Sequence, residues 1–203
     1  MSDALRTAAE QLIDPQGREL AKAVRWLELE LPGLDPALRW PVAVLGEGQP
    51  VLLLHGFDSS LLEFRRLAPL LAGRYQLWIP DLFGFGFTPR PEGIGYNPSA
   101  VLQHLLAIIK QMPEGPIGLI GASMGGSVAV VLARELQDAQ PQRIEKLLLL
   151  APAGLTGASL QELQEVCRFA CREGSDLHHL PFPVSPDDLL SALVSSSQGC
   201  LTY

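Results

Sequence analysis

The sequence predicts an α/β fold: a mostly parallel sheet with helices on both faces. Three observations carry that expectation. Apolar runs alternate with stretches of helical composition between residues 51 and 150, the order of parallel strands joined by helical crossovers. Val51–Leu54 is four consecutive apolar residues, as in a strand buried on both faces. Residues 117–131 read I-G-L-I-G-A-S-M-G-G-S-V-A-V-V, an apolar run, a tight turn and a helix start in succession.

Taken in order, Ser2–Leu20 reads as an exposed helix interrupted at Asp14-Pro15. Arg25–Leu31 alternates, with Leu27, Leu29 and Leu31 on one side and Glu28 and Glu30 on the other, the period of a half-buried strand. Breakers at 32–36 end it, and Arg39–Leu45 is a second strand. The two are expected to pair antiparallel at one edge of the sheet. After strand Val51–Leu54, a helix over Leu61–Ala72 is expected. Ser59 or Ser60 would cap it, with Glu63 spaced for a capping box. Gln76–Ile79 is a strand, Pro80–Phe87 a loop, and Pro98–Met112 a helix capped by Asn97. Ile117–Ile120 and Ile144–Leu150 are strands flanking a helix over Met124–Gln137. No strand is expected after Leu150. Leu160–Arg172 and Ser185–Val194 read as helices of a cap. The organisation expected is a helical extension (1–24), a core (25–157) and a partial helical lid with an irregular tail (158–203).

The chain has 203 residues, enough for one domain with a good core. A net charge of −7 without a Lys/Arg cluster disfavours nucleic acid as a partner. Cys167, Cys171 and Cys200 form no disulfide framework and have no metal-ligand spacing; Cys167 and Cys171, on one helical face, read as buried thiols. No metal and no cofactor is expected. The N-terminus lacks the pattern of a signal peptide, and no apolar run approaches bilayer length. A cytoplasmic location is expected, and the oligomeric state is left open.

The turn at 121–125 fits G-x-S-x-G in its strand–turn–helix setting. Ser123 would stand at a sharp corner, its hydroxyl pushed out of the sheet. Gly121 and Gly125, lacking a Cβ, would let strand and helix approach closely. The same residues also suit a Gly-rich turn that holds a phosphate at the helix N-terminus, although no Lys or ribose-binding acid accompanies them.

Four landmarks fall in order: V-L-L-L-H-G-F at 51–57, D-L-F-G-F-G at 81–86, G-A-S-M-G-G at 121–126 and L-L-L-L-A-P-A-G at 147–154. With them the chain resembles the α/β-hydrolase superfamily from about Arg25 to Gly157. The resemblance implies that Ser123 is a nucleophile. It implies that the backbone N–H groups of Met124 and Phe57 form an oxyanion hole. It makes His55 and Asp81 structural, lets Gly56, Phe57 and Asp58 line the substrate site, and makes Phe83, Phe85 and Phe87 core and pocket wall. His104 is expected on a surface or packing face.

In that superfamily the acid and histidine of the triad follow the nucleophile, after two further core strands. The chain reaches Tyr203 within the lid. It is therefore expected to be a truncated form, its fold lacking the last two core strands. The substitutes within the chain are His178 and His179 beside Asp176, with His179 as the base. The function expected is hydrolysis of a small-molecule acyl substrate, an ester above all, through an acyl-enzyme on Ser123. Acyl transfer, C–C bond hydrolysis and haloperoxidase-like chemistry are alternatives on the same fold. A serine at this position disfavours the dehalogenases and epoxide hydrolases that use Asp there. The alternative of another class is a non-catalytic relic or binding protein.

Overall fold

The computed structural model describes residues 9–153. The expectations for residues 1–8, the cap helices, the three cysteines, Asp176, His178 and His179 lie outside the described residues. Helix α1 (Pro15–Lys22) begins at the expected interruption. Asp14 caps it, accepting from Gln16 N–H at 2.9 Å, and Pro15 fills a first-turn position that needs no donor.

The strands are β1 (Val24–Leu27), β2 (Trp40–Leu45), β3 (Gln49–Leu54), β4 (Tyr75–Pro80), β5 (Ile117–Ala122) and β6 (Ile144–Leu150). They form one sheet in the order β1-β2-β4-β3-β5-β6. β1 and β2 pair antiparallel at one edge, β2 pairs antiparallel with β4, and the rest of the sheet is parallel. Helices α3 (Pro98–Gln111) and α4 (Met124–Ala139) join the later strands. Asn97 caps α3 through Ala100 N–H at 3.0 Å, as its sequence position predicts.

Two apolar layers follow from the period of two along β3. Leu52 and Leu54 face Leu105, Ile108, Ile109, Ala129, Leu132 and Leu136 of α3 and α4. Val51 and Leu53 face the opposite layer, with Leu20, Leu61, Phe64, Leu67 and Leu71. Leu52, Leu53 and Leu54 have no exposed surface, each contributing about 2 kcal/mol by burial. Helices on both faces explain why this strand carries no polar alternation.

Two elements differ from expectation. β1 pairs only through Leu27, because β2 begins at Trp40, the partner of Leu27. The alternation continues without pairing: Leu29 is buried while Glu28 and Glu30 are exposed. The second difference is at 61–72. A 3₁₀ turn spans Leu61–Arg65, and a separate four-residue helix, α2, spans Ala68–Leu71. Pro69 has no N–H, and its ring would clash with the carbonyl of Arg65 in a continuous helix. Ser60 does cap the turn, accepting from Leu62 N–H at 3.3 Å. Glu63 does not close a capping box; its carboxylate reaches Gly56 instead.

Among the described residues no helix is long and apolar enough to cross a membrane.

The crossing of α4 over β5 and β3 depends on Gly125, where a Cβ would fall onto the carbonyl oxygens of Leu54 and His55. Both are backbone atoms of a central strand end and cannot step aside cheaply. Gly125→Ala is expected to cost more than about 3 kcal/mol in urea unfolding, or to prevent folding. Gly73→Ala, where nothing lies within 4 Å, is expected to stay within about 1 kcal/mol of the parent.

Candidate active site

The site is assembled where β5 meets α4. Ser123 joins them with φ 49° and ψ −118°, a conformation that costs a non-glycine residue on the order of 1–3 kcal/mol. Its backbone is held on both sides. Ser123 N–H donates to Leu150 O at 2.9 Å, and Ser123 O accepts from Gly126 N–H and Ala153 N–H, each at 2.9 Å. The end of β6 thus fixes the corner. Gly121 allows it, since a Cβ there would meet backbone atoms of Gly125 and Gly126.

A serine before a helix ordinarily caps it from an extended conformation. Ser123 is turned out of that conformation, and its hydroxyl makes no capping bond. The residue is exposed. Met124 follows as the first residue of α4 and is half-buried. Its N–H belongs to the first turn, where no intrahelical acceptor exists.

The loop after β3 lies against this corner. A Cβ on Gly56 would stand 3.3 Å from Ser123 Cβ. His55 is fully buried and commits both ring nitrogens: Nε2 accepts from Leu82 N–H at 2.9 Å, and Nδ1 faces Gly56 O at 2.8 Å. Since a backbone N–H only donates, Nε2 is the acceptor and Nδ1 carries the proton. Burial lowers the His55 pKa to about 4, and the bond to Gly56 only partly opposes that. The ring is neutral at pH 7 and has no nitrogen left for a proton from Ser123. The bond to Gly56 O has a further effect. In a trans peptide the next N–H points opposite to that carbonyl, so the Phe57 N–H is turned away from the His55 ring.

Asp81 stands 3.9 Å from His55 Nε2 and forms no ion pair with the neutral ring. It accepts from Leu61 N–H at 2.6 Å and Phe87 N–H at 2.8 Å, tying two loops together. Gly86 passes so close that a Cβ would land on its carboxyl group. Burial raises the Asp81 pKa to about 6, against the pull of those two bonds and of Arg90.

The three phenylalanines of this loop divide by depth. Phe83 is buried and stacks on Trp40 with centroids 5.4 Å apart. Phe85 is half-buried, edge-on to both His55 (6.0 Å) and Phe57 (5.7 Å). Phe87 is 40% exposed and Phe57 72% exposed. Asp58 is exposed with φ 50° on the solvent side of the turn. His104 occupies a packing position: it is fully buried, 4.8 Å from the Trp40 ring, with no described partner for either nitrogen. Burial lowers its pKa to about 3. The structure therefore brings Ser123, Met124, Gly56 and Phe57 together, with His55 fully bonded to loop backbone and His104 sealed in the core against Trp40. Sequence reasoning assigned Glu63 to a cap and missed its bond to Gly56. The bond spans seven residues across a turn, and capping-box spacing carries no signal for it. Among the described residues no group of three His, Cys, Asp or Glu could hold a metal ion.

Known proteins share this frame. The family model described as "alpha/beta hydrolase fold" matches residues 49–196. The 2-hydroxy-6-oxo-2,4-heptadienoate hydrolase of Pseudomonas putida is 31% identical over 115 residues, covering 55% of this chain and 40% of that protein. Lipase 1 of Psychrobacter immobilis is 34% identical over 119 residues, covering 58% of this chain and 36% of the lipase. The chain therefore spans well under half the length of these relatives. A crystal structure of a meta-cleavage product hydrolase variant superposes with a TM-score of 0.54 at 27% identity, covering 63% of this chain and 45% of that one.

The buried titratable groups set a pH dependence. His55 and His104 have folded pKa values of about 4 and about 3 against 6.5. Below pH 6.5 the unfolded chain takes up two protons that the folded chain refuses, so stability falls with acid. Asp81, raised to about 6 from 3.8, takes up a proton in the folded chain first and gives stability back between pH 6 and 4. Two histidines outweigh one carboxyl, and stability is expected to drop by about 2 kcal/mol between pH 7 and 5. In His104→Leu that drop is expected to shrink to under about 1 kcal/mol, read from urea midpoints at the two pH values.

Proposed function

The chain belongs to the α/β-hydrolase family, and we propose that it hydrolyses a small-molecule carboxylic ester or related acyl substrate through an acyl-enzyme on Ser123. The observation that carries this reading is the uncapped, exposed hydroxyl of Ser123, on a backbone held at φ 49° beside Gly56.

In this reading a base takes the Ser123 proton as Oγ attacks the carbonyl carbon. The carbonyl oxygen becomes an oxyanion that accepts from Met124 N–H and Phe57 N–H. The C–O bond to the alcohol breaks, and the alcohol leaves with the proton held by the base. Water then adds to the acyl-enzyme, the carboxylic acid departs, and Oγ regains its proton. The base comes from outside residues 9–153, since both His55 nitrogens are bonded and His104 is fully buried against Trp40 and Phe83. His179 is the candidate within the chain. Gly56 and Asp58 flank the entering acyl group, and the exposed rings of Phe57 and Phe87 favour an apolar one.

A second reading has its own support. The matched hydrolases of the meta-cleavage type point to a substrate in which the bond broken is carbon–carbon. Attack at a carbonyl and the oxyanion donors are unchanged; a carbanion equivalent, which must be protonated, replaces the alcohol. Comparing nitrophenyl esters with a vinylogous diketo acid separates the two.

Ser123→Ala is expected to lower hydrolysis at least about 1,000-fold and to abolish covalent labelling by a serine-reactive phosphonate, with the melting temperature kept. Hydrolysis at the parent rate in this variant would exclude the acyl-enzyme.

A further inference from the structure

We propose that Glu63 is a positioning residue for the oxyanion site, holding the Gly56 peptide so that the Phe57 N–H faces the Ser123 corner. The proposal rests on the acyl-enzyme reading above.

Gly56 is the link between the end of β3 and the donor at Phe57. It is buried, and a Cβ on it would crowd the elbow, 3.3 Å from Ser123 Cβ. A glycine fits, but a glycine does not fix its own dihedrals. The two peptide planes that meet at Gly56 must be fixed from outside. Each has one anchor. The plane after Gly56 is held through its carbonyl by His55 Nδ1 at 2.8 Å. The plane before it is held through Gly56 N–H, which donates to Glu63 Oε2 at 2.8 Å. His55 thus sets ψ and Glu63 sets φ. Losing either bond lets the Phe57 N–H swing, and an oxyanion donor is effective only within a narrow range of position.

Glu63 is itself placed firmly. Its N–H donates to Ser60 O at 2.9 Å within the 3₁₀ turn. The turn is pinned at its start by the bond from Leu61 N–H to Asp81. At its end Arg65 Nε meets Asp14 Oδ2 at 2.6 Å. No described Lys or Arg pairs with the Glu63 carboxylate. Its Oε2 lies 3.5 Å from the point a Gly56 Cβ would occupy, a point itself 3.3 Å from Ser123 Cβ. A negative charge near a forming oxyanion opposes catalysis. The useful property of Glu63 is therefore its acceptor oxygen rather than its charge.

The test is steady-state hydrolysis of a nitrophenyl ester by the isolated full-length protein and its Glu63→Gln, Glu63→Met and Glu63→Asp variants, with Ser123→Ala as control. Glu63→Gln keeps an acceptor at the same reach and is expected to match or exceed the parent kcat. Glu63→Met removes the acceptor and is expected to lose at least ten-fold in kcat with KM within two-fold. Glu63→Asp, one methylene shorter, is expected to lose kcat similarly and serves if the Met variant does not fold. The proposal is overturned if the variants lacking reach keep the parent kcat, or if Glu63→Gln falls as far as they do. It is also overturned if the loss tracks only the folded fraction. If the parent itself matches Ser123→Ala, the acyl-enzyme reading fails and this proposal with it. A parent well above Ser123→Ala, with Glu63 variants unaffected, leaves that reading intact and removes only the role of Glu63.

Discussion

The structure turns on a backbone corner that would not hold itself. Ser123 occupies a conformation few non-glycine residues tolerate, and three bonds keep it there: to Leu150 O, from Gly126 N–H and from Ala153 N–H. One comes from the last residue of β6 and one from Ala153, three residues beyond it. The corner thus requires that the parallel pair β5–β6 be in register as far as Ala122 and Leu150. Packing enters next, because Gly121, Gly125 and Gly126 let the first turn of α4 lie on β5 and β3. What results is a hydroxyl freed from capping at the C-terminal end of a parallel sheet, where open α/β folds place their ligands.

Around the corner the polar groups are arranged as a frame. His55 and Asp81 are buried side by side and do not form an ion pair. Each spends its hydrogen-bonding capacity on loop backbone: Gly56 and Leu82 for the histidine, Leu61 and Phe87 for the aspartate. Such groups are costly to bury unless fully bonded, and here the bonds hold the loops after β3 and β4 together. Glu63 extends the frame to the Gly56 N–H. His104 is the exception, buried against Trp40 without a described partner. It contributes shape to the core and a liability in acid.

Much of this was legible in the sequence where one physical signal dominated. Val51–Leu54 could hardly be anything but a doubly covered strand, and Asn97-Pro98 could hardly fail to start a helix. The strand–turn–helix around Ser123 was legible because glycines at 121 and 125 have few other uses in that setting. The misreadings arose where two local signals competed. Ser60 and Glu63 have capping-box spacing, yet the orphan N–H of Gly56, seven residues earlier, outcompeted the Ser60 N–H for the carboxylate. Leu62, Leu67, Leu70 and Leu71 have helical spacing, yet Pro69 divides them. The commitment of both His55 nitrogens was not legible, because Leu82 approaches only through the pairing of β3 with β4.

In the proposed mechanism Ser123 and the two backbone donors form one catalytic centre. A crystal structure of the isolated protein after reaction with a serine-reactive phosphonate tests it most directly. A bond from Ser123 Oγ to phosphorus is expected, with the phosphonyl oxygen about 3 Å from both Met124 N and Phe57 N. A phosphonate on another residue, or an oxygen turned away from those two N–H groups, would contradict it.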